Sequence, residues 1–158
     1  MAEDNCLFCR IVAGEVPAVV VYEDEHSLGF LDHRPLFHGH TLLVPREHVE
    51  TLGELPVSKV GPFFKNVQLL SLVVESALDA EGTFVAMNNR VSQSVPHLHV
   101  HVVPRRKKDG LKGFFWPRTK YKDEAEMLAV KKSIAVELAK MKRGENNFMV
   151  QKIKHIKV

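Results

Sequence analysis

The chain has 158 residues, of which 45% are hydrophobic and 26% charged, and a formal net charge of +3 at pH 7. This length and composition predict one globular domain over residues 1–158, and so weak a positive charge gives no reason to expect specific nucleic-acid binding. No uncharged apolar run reaches about 18 residues, and the acidic start does not resemble a signal peptide. No membrane span is therefore expected, and a cytoplasmic location is the default.

Three segments rich in β-branched residues open the chain's regular structure. They predict strands over 18–23, 27–31 and 41–44, each bounded by turn residues. A helical spacing of apolar residues then predicts a long helix over 58–78.

Two further strands are expected in the second half, over 83–87 and 95–103. A last helix fits 124–141, with Asp123 as N-cap and Glu126 as its capping-box partner. Strands and helices that do not alternate regularly predict an α+β fold.

Histidines and apolar residues alternate from His97 to Val102. In a strand this places His97, His99 and His101 on one face and the apolar residues on the other. Imidazoles contribute little to a hydrophobic core, so the row of histidines indicates a catalytic or binding role more than a packing role. The alternative without a function is a polar strand face exposed to solvent. Residues two apart on a strand lie about 7 Å apart, too far for one metal ion to bind all three.

The two cysteines of the chain, Cys6 and Cys9, form a Cys-x-x-Cys motif. In a reducing compartment this spacing indicates a metal site or redox chemistry, not a structural disulfide. The redox interpretation is the weaker one, because a thioredoxin-like motif follows a strand within a βαβ unit, whereas this one lies near the start of the chain.

The sequence from His97 to Val103 resembles the signature of the histidine triad (HIT) family, in which three histidines alternate with apolar residues. Gly39-His40 and Pro45-Arg46-Glu47-His48, which flank the third strand, and Gln93-Ser94-Val95 also match. The opening segment, 6–18, resembles the zinc-containing bacterial branch. The similarity covers about residues 5–105, which leaves a C-terminal helix and basic tail over 119–158.

The resemblance implies a twisted antiparallel sheet of about five strands with a long helix, in a homodimer. It also implies hydrolysis or transfer of a nucleoside monophosphate from a purine nucleotide conjugate, such as a phosphoramidate or a dinucleoside polyphosphate. His99 would be the nucleophile and form a covalent nucleotidyl-histidine. His101 and His40 would flank the phosphate, and Gln93 and Ser94 would hydrogen-bond near the leaving group. No catalytic metal is required.

The same resemblance places Asp32 on the ribose hydroxyls, although Asp32 is equally well explained as a turn residue. Asn88 and Asn89 fall where the family often has an asparagine near the sugar and phosphate. Here the loop before Gln93 is shorter than usual, and Ser92 replaces the usual glycine.

A structural zinc site is expected where two cysteines and two histidines form a closed tetrahedral shell. Its candidate ligands are Cys6, Cys9, His48 and His97. A zinc-dependent hydrolase would need an open metal position, which four ligands do not leave. A nucleotide-binding or interaction module with little activity is the other alternative.

Two further segments each allow more than one interpretation. Arg105 to Lys108 is a basic run that suits a solvated turn or, alternatively, contacts with a distal phosphate. The aromatic segment Gly113 to Arg118 suits a loop anchor or a dimer contact, or a place for Trp116 over a nucleobase.

Overall fold

The computed structural model describes residues 5–111 and 120–142, with side chains described as far as residue 136. The chain divides into two compact units, 1–112 and 113–158. The single-domain interpretation stays a prediction. The aromatic segment 113–118 and the basic tail from residue 143 lie outside the described residues.

The first unit contains a five-stranded antiparallel sheet in the order β1-β2-β3-β5-β4. Its strands are β1 (Val20–Glu23), β2 (Ser27–Leu31), β3 (Thr41–Pro45), β4 (Gly82–Ala86) and β5 (Val100–Arg105). The first three form a meander, and β5 pairs with β3 with Leu42 opposite His101. This architecture confirms the predicted α+β fold.

Within residues 5–111, three helical segments accompany the sheet: α1 (Leu7–Val12), a 3-10 turn (Leu52–Glu54) and α2 (Val57–Ala77). The helix α2 lies within one residue of its predicted bounds. Sequence analysis did not predict α1 or the 3-10 turn. The 3-10 turn has a sequence signal, since Thr51 and Glu54 form a capping box.

Two hydrophobic clusters occupy opposite faces of the sheet, because successive strand residues point to opposite sides. One cluster packs Phe63 and Leu70 of α2 against Leu43, Val100 and Val102. The other packs Phe8 of α1 with residues of β2 and β3, namely Leu28, Phe30, Leu42 and Val44. His101 is paired with Leu42 and therefore lies on the face that α1 covers.

The fifth strand is shorter than predicted, because it begins at Val100 and not at Val95. His97 and His99 precede the strand, in backbone that forms no ladder. Two features explain this. Pro45, which ends β3, has no N–H to extend the ladder, and the carbonyl of His97 accepts side-chain hydrogen bonds from Gln93 and His99. The expectation that His97 and His99 lie within a regular strand was therefore wrong.

The second unit contains α3 (Glu124–Lys142), close to the predicted helix. The Asp123 carboxylate accepts a hydrogen bond from the backbone N–H of Glu126 at 2.8 Å, which confirms the N-cap. The Glu126 carboxylate accepts from Lys122 N–H, one residue before the position that a capping box uses. No helix within the described ranges is long and apolar enough to cross a membrane.

Candidate active site and metal centre

Four side chains from three separate segments of the chain meet at the start of α1. Cys6 and Cys9 belong to the start of that helix, His48 follows β3, and His97 precedes β5. Their ligand atoms all lie within 4.8 Å of one another. The Cys9 Sγ lies 3.2 Å from Nδ1 of His48 and 3.4 Å from Nδ1 of His97, and the Cys6 Sγ lies 3.5 Å from the same His97 nitrogen.

This arrangement fits a tetrahedral zinc ion. Zinc bonds of about 2.3 Å to sulfur and about 2.1 Å to nitrogen place neighbouring ligand atoms roughly 3.6 Å apart. His97 is fully buried, and its Nε2 hydrogen-bonds the Pro45 carbonyl at 2.9 Å. Since a carbonyl only accepts, Nε2 carries the proton and Nδ1 presents its lone pair to the cysteines, as a metal-ligating histidine requires.

His99 lies between this cluster and the rest of the sheet face and is 6% exposed. Its Nδ1 donates a hydrogen bond to the backbone carbonyl of His97 at 2.7 Å. Nδ1 therefore carries a proton, and in the neutral ring Nε2 has a free lone pair. A neutral imidazole held in this tautomer is a competent nucleophile.

His40 and His101 form a second histidine pair on the same face. Nε2 of His40 lies 2.9 Å from Nδ1 of His101, and His40 is 3% exposed. The backbone N–H of Leu36 donates to Nδ1 of His40 at 3.2 Å, so that nitrogen is unprotonated. His40 therefore donates from Nε2 to His101, which leaves the proton of His101 on its own Nε2.

Burial keeps the rings of His40, His97 and His101 neutral around pH 7. It lowers the pKa of His101 to about 4, with help from the neighbouring His99 and His40. Burial also lowers the pKa of His40, although the Asp32 carboxylate opposes the shift. The pKa of His97 falls to about 4 for the same main reason, against the opposing effect of its hydrogen bond to Pro45.

Asp32 approaches this pair from the loop after β2. One carboxylate oxygen lies 3.5 Å from Nδ1 of His40, and the other accepts a hydrogen bond from the backbone N–H of Arg34 at 2.8 Å. The hydrogen bond from Arg34 is the turn role that was considered for Asp32 from the sequence. The other carboxylate oxygen lies beside the histidines, and the contact of Asp32 with ribose stays a prediction.

The remaining candidate residues lie in the loop between β4 and β5. Gln93 donates from Nε2 to the carbonyls of Glu50, at 2.7 Å, and His97, at 3.2 Å, and so supports the same carbonyl that orients His99. Ser94 is exposed. Gln93 thus contacts the site through its hydrogen bond to the backbone carbonyl of His97. Its expected contact with the leaving group stays a prediction.

Asn88 and Asn89 make structural hydrogen bonds in this loop. Asn88 donates from Nδ2 to the carbonyl of Ser92 at 3.0 Å, and Oδ1 of Asn89 accepts from the N–H of Leu52 at 2.8 Å. Ser92 adopts φ 58°, a left-handed conformation that suits the glycine it replaces. A contact of either asparagine with a sugar or phosphate stays a prediction.

Most of the basic run after the triad is engaged in contacts within the first unit. Arg105 makes two hydrogen bonds to the Asp109 carboxylate, and Arg106 donates to the carbonyl of Leu78. Lys107 pairs with Glu81 at 3.4 Å. These contacts favour the structural explanation of the run over contacts with a distal phosphate.

One neighbour of the histidines was missed by sequence analysis. The ring of Phe8 packs edge-on against His99, with centroids 5.3 Å apart, and also contacts Phe30 and His97. Its position between the two cysteines was an available signal, because candidate metal ligands on both sides of a residue place its backbone beside the candidate metal site.

Comparisons with known proteins place these features in a family. The model of the HIT domain matches residues 13–108. An uncharacterised HIT-like protein of Methanocaldococcus jannaschii is 46% identical over 107 residues, which are 66% of this chain and 82% of that protein. An adenosine 5'-monophosphoramidase of Schizosaccharomyces pombe is 35% identical over 72% of this chain and 84% of its own length.

An adenylylsulfatase of Arabidopsis thaliana is 37% identical over 69% of this chain, which matches 56% of that longer protein. Among solved structures, a HIT protein of Bacillus subtilis has a TM-score of 0.75 and 36% identity, covering 83% of this chain and 95% of that one. A zinc-bound histidine triad protein of Mycobacterium smegmatis has a TM-score of 0.66 and 35% identity, covering 87% and 99%. The chain belongs to the HIT family.

Proposed function

We propose that this protein hydrolyses nucleotide conjugates, releasing a nucleoside monophosphate through a covalent nucleotidyl-His99. The observation that carries the proposal is the 2.7 Å hydrogen bond from Nδ1 of His99 to the His97 carbonyl, which leaves Nε2 free to attack phosphorus. Relatives named as an adenosine 5'-monophosphoramidase and an adenylylsulfatase support this class of substrate.

The proposed reaction has two displacements at the same phosphorus. In the first, Nε2 of His99 forms a bond to phosphorus while the bond to the leaving group breaks. In the second, water attacks phosphorus and loses a proton, which balances the one taken up by the leaving group in the first step. The bond to His99 breaks, its electron pair returns to Nε2 to regenerate the neutral imidazole, and the nucleoside monophosphate is released. Two easier displacements thus replace one difficult one.

The pair of His40 and His101 supports both displacements. His40 donates to Nδ1 of His101, so Nε2–H of His101 is available to a phosphate oxygen or to the departing atom. A donor already in place where negative charge develops stabilises a transition state without reorganisation. These roles need no metal ion at the reacting phosphate.

Zinc at Cys6, Cys9, His48 and His97 has a structural role in this proposal. Four ligands close the coordination shell, and the ion would fix the N-terminal helix beside the sheet. A zinc-bound relative of known structure supports the choice of metal.

We also propose that the active form is a homodimer. On the described surface, exposed apolar side chains are found along α2, including Leu69, Leu72 and Val73, and on the edge strand β4 at Val85. An edge strand with an apolar neighbour is a suitable place for two sheets to join. Sedimentation equilibrium of the full chain tests this, and a monomer at working concentration would contradict it.

The function is tested by turnover of adenosine phosphoramidate, diadenosine tetraphosphate and adenylyl sulfate, by the wild type and by His99→Ala. Turnover of at least one substrate is expected, with a loss of several orders of magnitude in the variant. A variant that retains more than about a tenth of the rate would contradict the covalent route. A wild type that binds nucleotide but turns over none of the three would favour a binding module.

A further inference from the structure

The nucleophilic role proposed for His99 depends on which way its ring is turned. Rotation by about 180° around the Cβ–Cγ bond exchanges Nδ1 with a carbon and removes the hydrogen bond to the His97 carbonyl. Nε2 then leaves its position facing the substrate. The hydrogen bond of 2.7 Å opposes this rotation, but one net hydrogen bond contributes only about 1 kcal/mol.

Two aromatic neighbours confine the ring as well. The ring of Phe8 stands at 81° to the imidazole of His99, with centroids 5.3 Å apart, and the ring of His101 stands at 70° with centroids 5.0 Å apart. Both are edge-to-face contacts, in which one ring occupies volume that the other would sweep on turning. Phe8 is itself held, being 6% exposed and packed on Phe30 with centroids 5.5 Å apart.

The backbone of Phe8 is fixed independently of that packing. Phe8 lies in α1 between Cys6 and Cys9, the two cysteines of the metal cluster. Its ring also contacts that of His97, with centroids 6.0 Å apart, and His97 supplies the carbonyl that orients His99. Phe8 thus contacts the ring of His99 directly and also contacts His97, the residue whose carbonyl orients His99.

We propose that Phe8 is a positioning residue, whose ring holds the imidazole of His99 in the orientation that presents Nε2 to phosphorus. The proposal rests on the proposed function of His99. It predicts that loss of the ring slows the chemical step more than it weakens substrate binding, since an error of about 1 Å at a reacting atom can cost a hundredfold in rate.

The first test compares Phe8→Leu with Phe63→Leu. Phe63 is also buried, at 1% exposure, but it belongs to the core under α2 on the other face of the sheet. Both variants lose a ring from a core and should be destabilised comparably. The single-turnover rate of folded Phe8→Leu should fall by about tenfold or more, with KM within about twofold, whereas Phe63→Leu should retain the wild-type rate.

A second measurement reports the ring directly and does not depend on activity. Two-bond ¹H–¹⁵N correlation spectra distinguish which imidazole nitrogen carries the proton. In the wild type and in Phe63→Leu, His99 should show one tautomer with the proton on Nδ1. In Phe8→Leu the His99 signals should indicate a mixture of tautomers or exchange broadening.

Equal rates in the two variants, or an unchanged His99 tautomer in Phe8→Leu, would overturn the positioning role. A rise in KM with an unchanged single-turnover rate would overturn it as well, because that result would place Phe8 in substrate binding alone. If the leucine variant does not fold, Phe8→Met offers an unbranched, flexible side chain that can adapt to the space without a ring, and the same outcomes apply. Failure of the proposed function is distinguishable, because it would appear as an inactive wild type whose His99 tautomer still depends on Phe8.

Discussion

Replacement of Cys9 by serine should release the proposed zinc ion and lower the stability of the fold. The Cys9 Sγ is the cluster atom that contacts both histidines, at 3.2 Å from Nδ1 of His48 and 3.4 Å from Nδ1 of His97. A serine hydroxyl stays protonated near pH 7 and is a poor zinc ligand, and three remaining ligands leave the tetrahedral shell open.

The size of the effect follows from linkage between binding and folding. An ion that binds only the folded state at a free concentration of 100 times its Kd stabilises that state by about 2.7 kcal/mol. If Cys9→Ser raises the Kd above the zinc concentration, this contribution is lost. For a chain of about 150 residues, each kcal/mol corresponds to about 2–4 °C, so the Tm should fall by about 5–11 °C.

The assay combines zinc content by atomic emission with thermal unfolding, in buffered zinc and again in excess chelator. Cys9→Ser should have less zinc and a lower Tm in the first buffer, and the difference should largely disappear in the second. His33→Ala is the matched control, because this exposed histidine lies outside the cluster. Equal zinc content and equal Tm for Cys9→Ser and wild type would refute the assignment of this site.

Three further predictions concern the framework of the site. Gly39→Ala should destabilise the fold by about 1–3 kcal/mol in urea unfolding, because Gly39 has φ 93° and a Cβ there would lie 2.1 Å from Leu78 Cδ1. Gly61→Ala, within α2 and with open space around it, should instead stabilise by up to about 1 kcal/mol, and the same sign for both would contradict this.

Asp24→Asn should cost about 2 kcal/mol, because this carboxylate accepts hydrogen bonds from the turn after β1 and from α2; a chemical-denaturation midpoint equal to wild type would contradict it. Burial lowers the pKa of His101 from 6.5 to about 4, so its contribution to stability is complete above pH 6.5 and is lost as the pH falls towards 4. His101→Gln should therefore lose less unfolding free energy than wild type between about pH 7 and pH 4.5, and an equal loss would argue against a buried neutral ring.

Periodicity predicted most of the sheet and both long helices. In the sheet and in α2 the apolar residues are buried at regular intervals, whereas the described side chains of α3 are exposed and its start is marked by the Asp123 N-cap. The strand β2 has its predicted bounds, and α2 and β4 differ from theirs by one residue. The short helix α1 was not predicted, because its six residues are too few to show a helical period of apolar residues. Its position depends on contacts distant in sequence, between its cysteines and the histidines of other segments.

The histidine row shows where a local pattern fails. Alternation correctly places Leu98, Val100 and Val102 in the core, where all three are fully buried. It could not show that His97 and His99 lie outside the ladder, because that depends on Pro45 in another strand and on side-chain hydrogen bonds to the His97 carbonyl. The departure from a regular strand is what supplies the acceptor for His99.

The three histidines lie in different surroundings, and the separate roles expected for them stay a prediction. His97 belongs to the metal cluster, His101 pairs with His40, and His99 lies between them. The preferred leaving group depends on contacts that no motif encodes. The sequence makes no choice among leaving groups, and the cytoplasmic location and the lack of specific nucleic-acid binding stay predictions.

The central claim is that His99 carries the nucleotidyl group, and intact-mass analysis of rapidly quenched reactions tests it most directly. With adenosine phosphoramidate, the wild type should gain the mass of one adenylyl group early in turnover, at a site that peptide mapping assigns to His99. His99→Ala should show neither adduct nor turnover. Sustained turnover without an adduct at any quench time, or an adduct that persists in His99→Ala, would contradict the account.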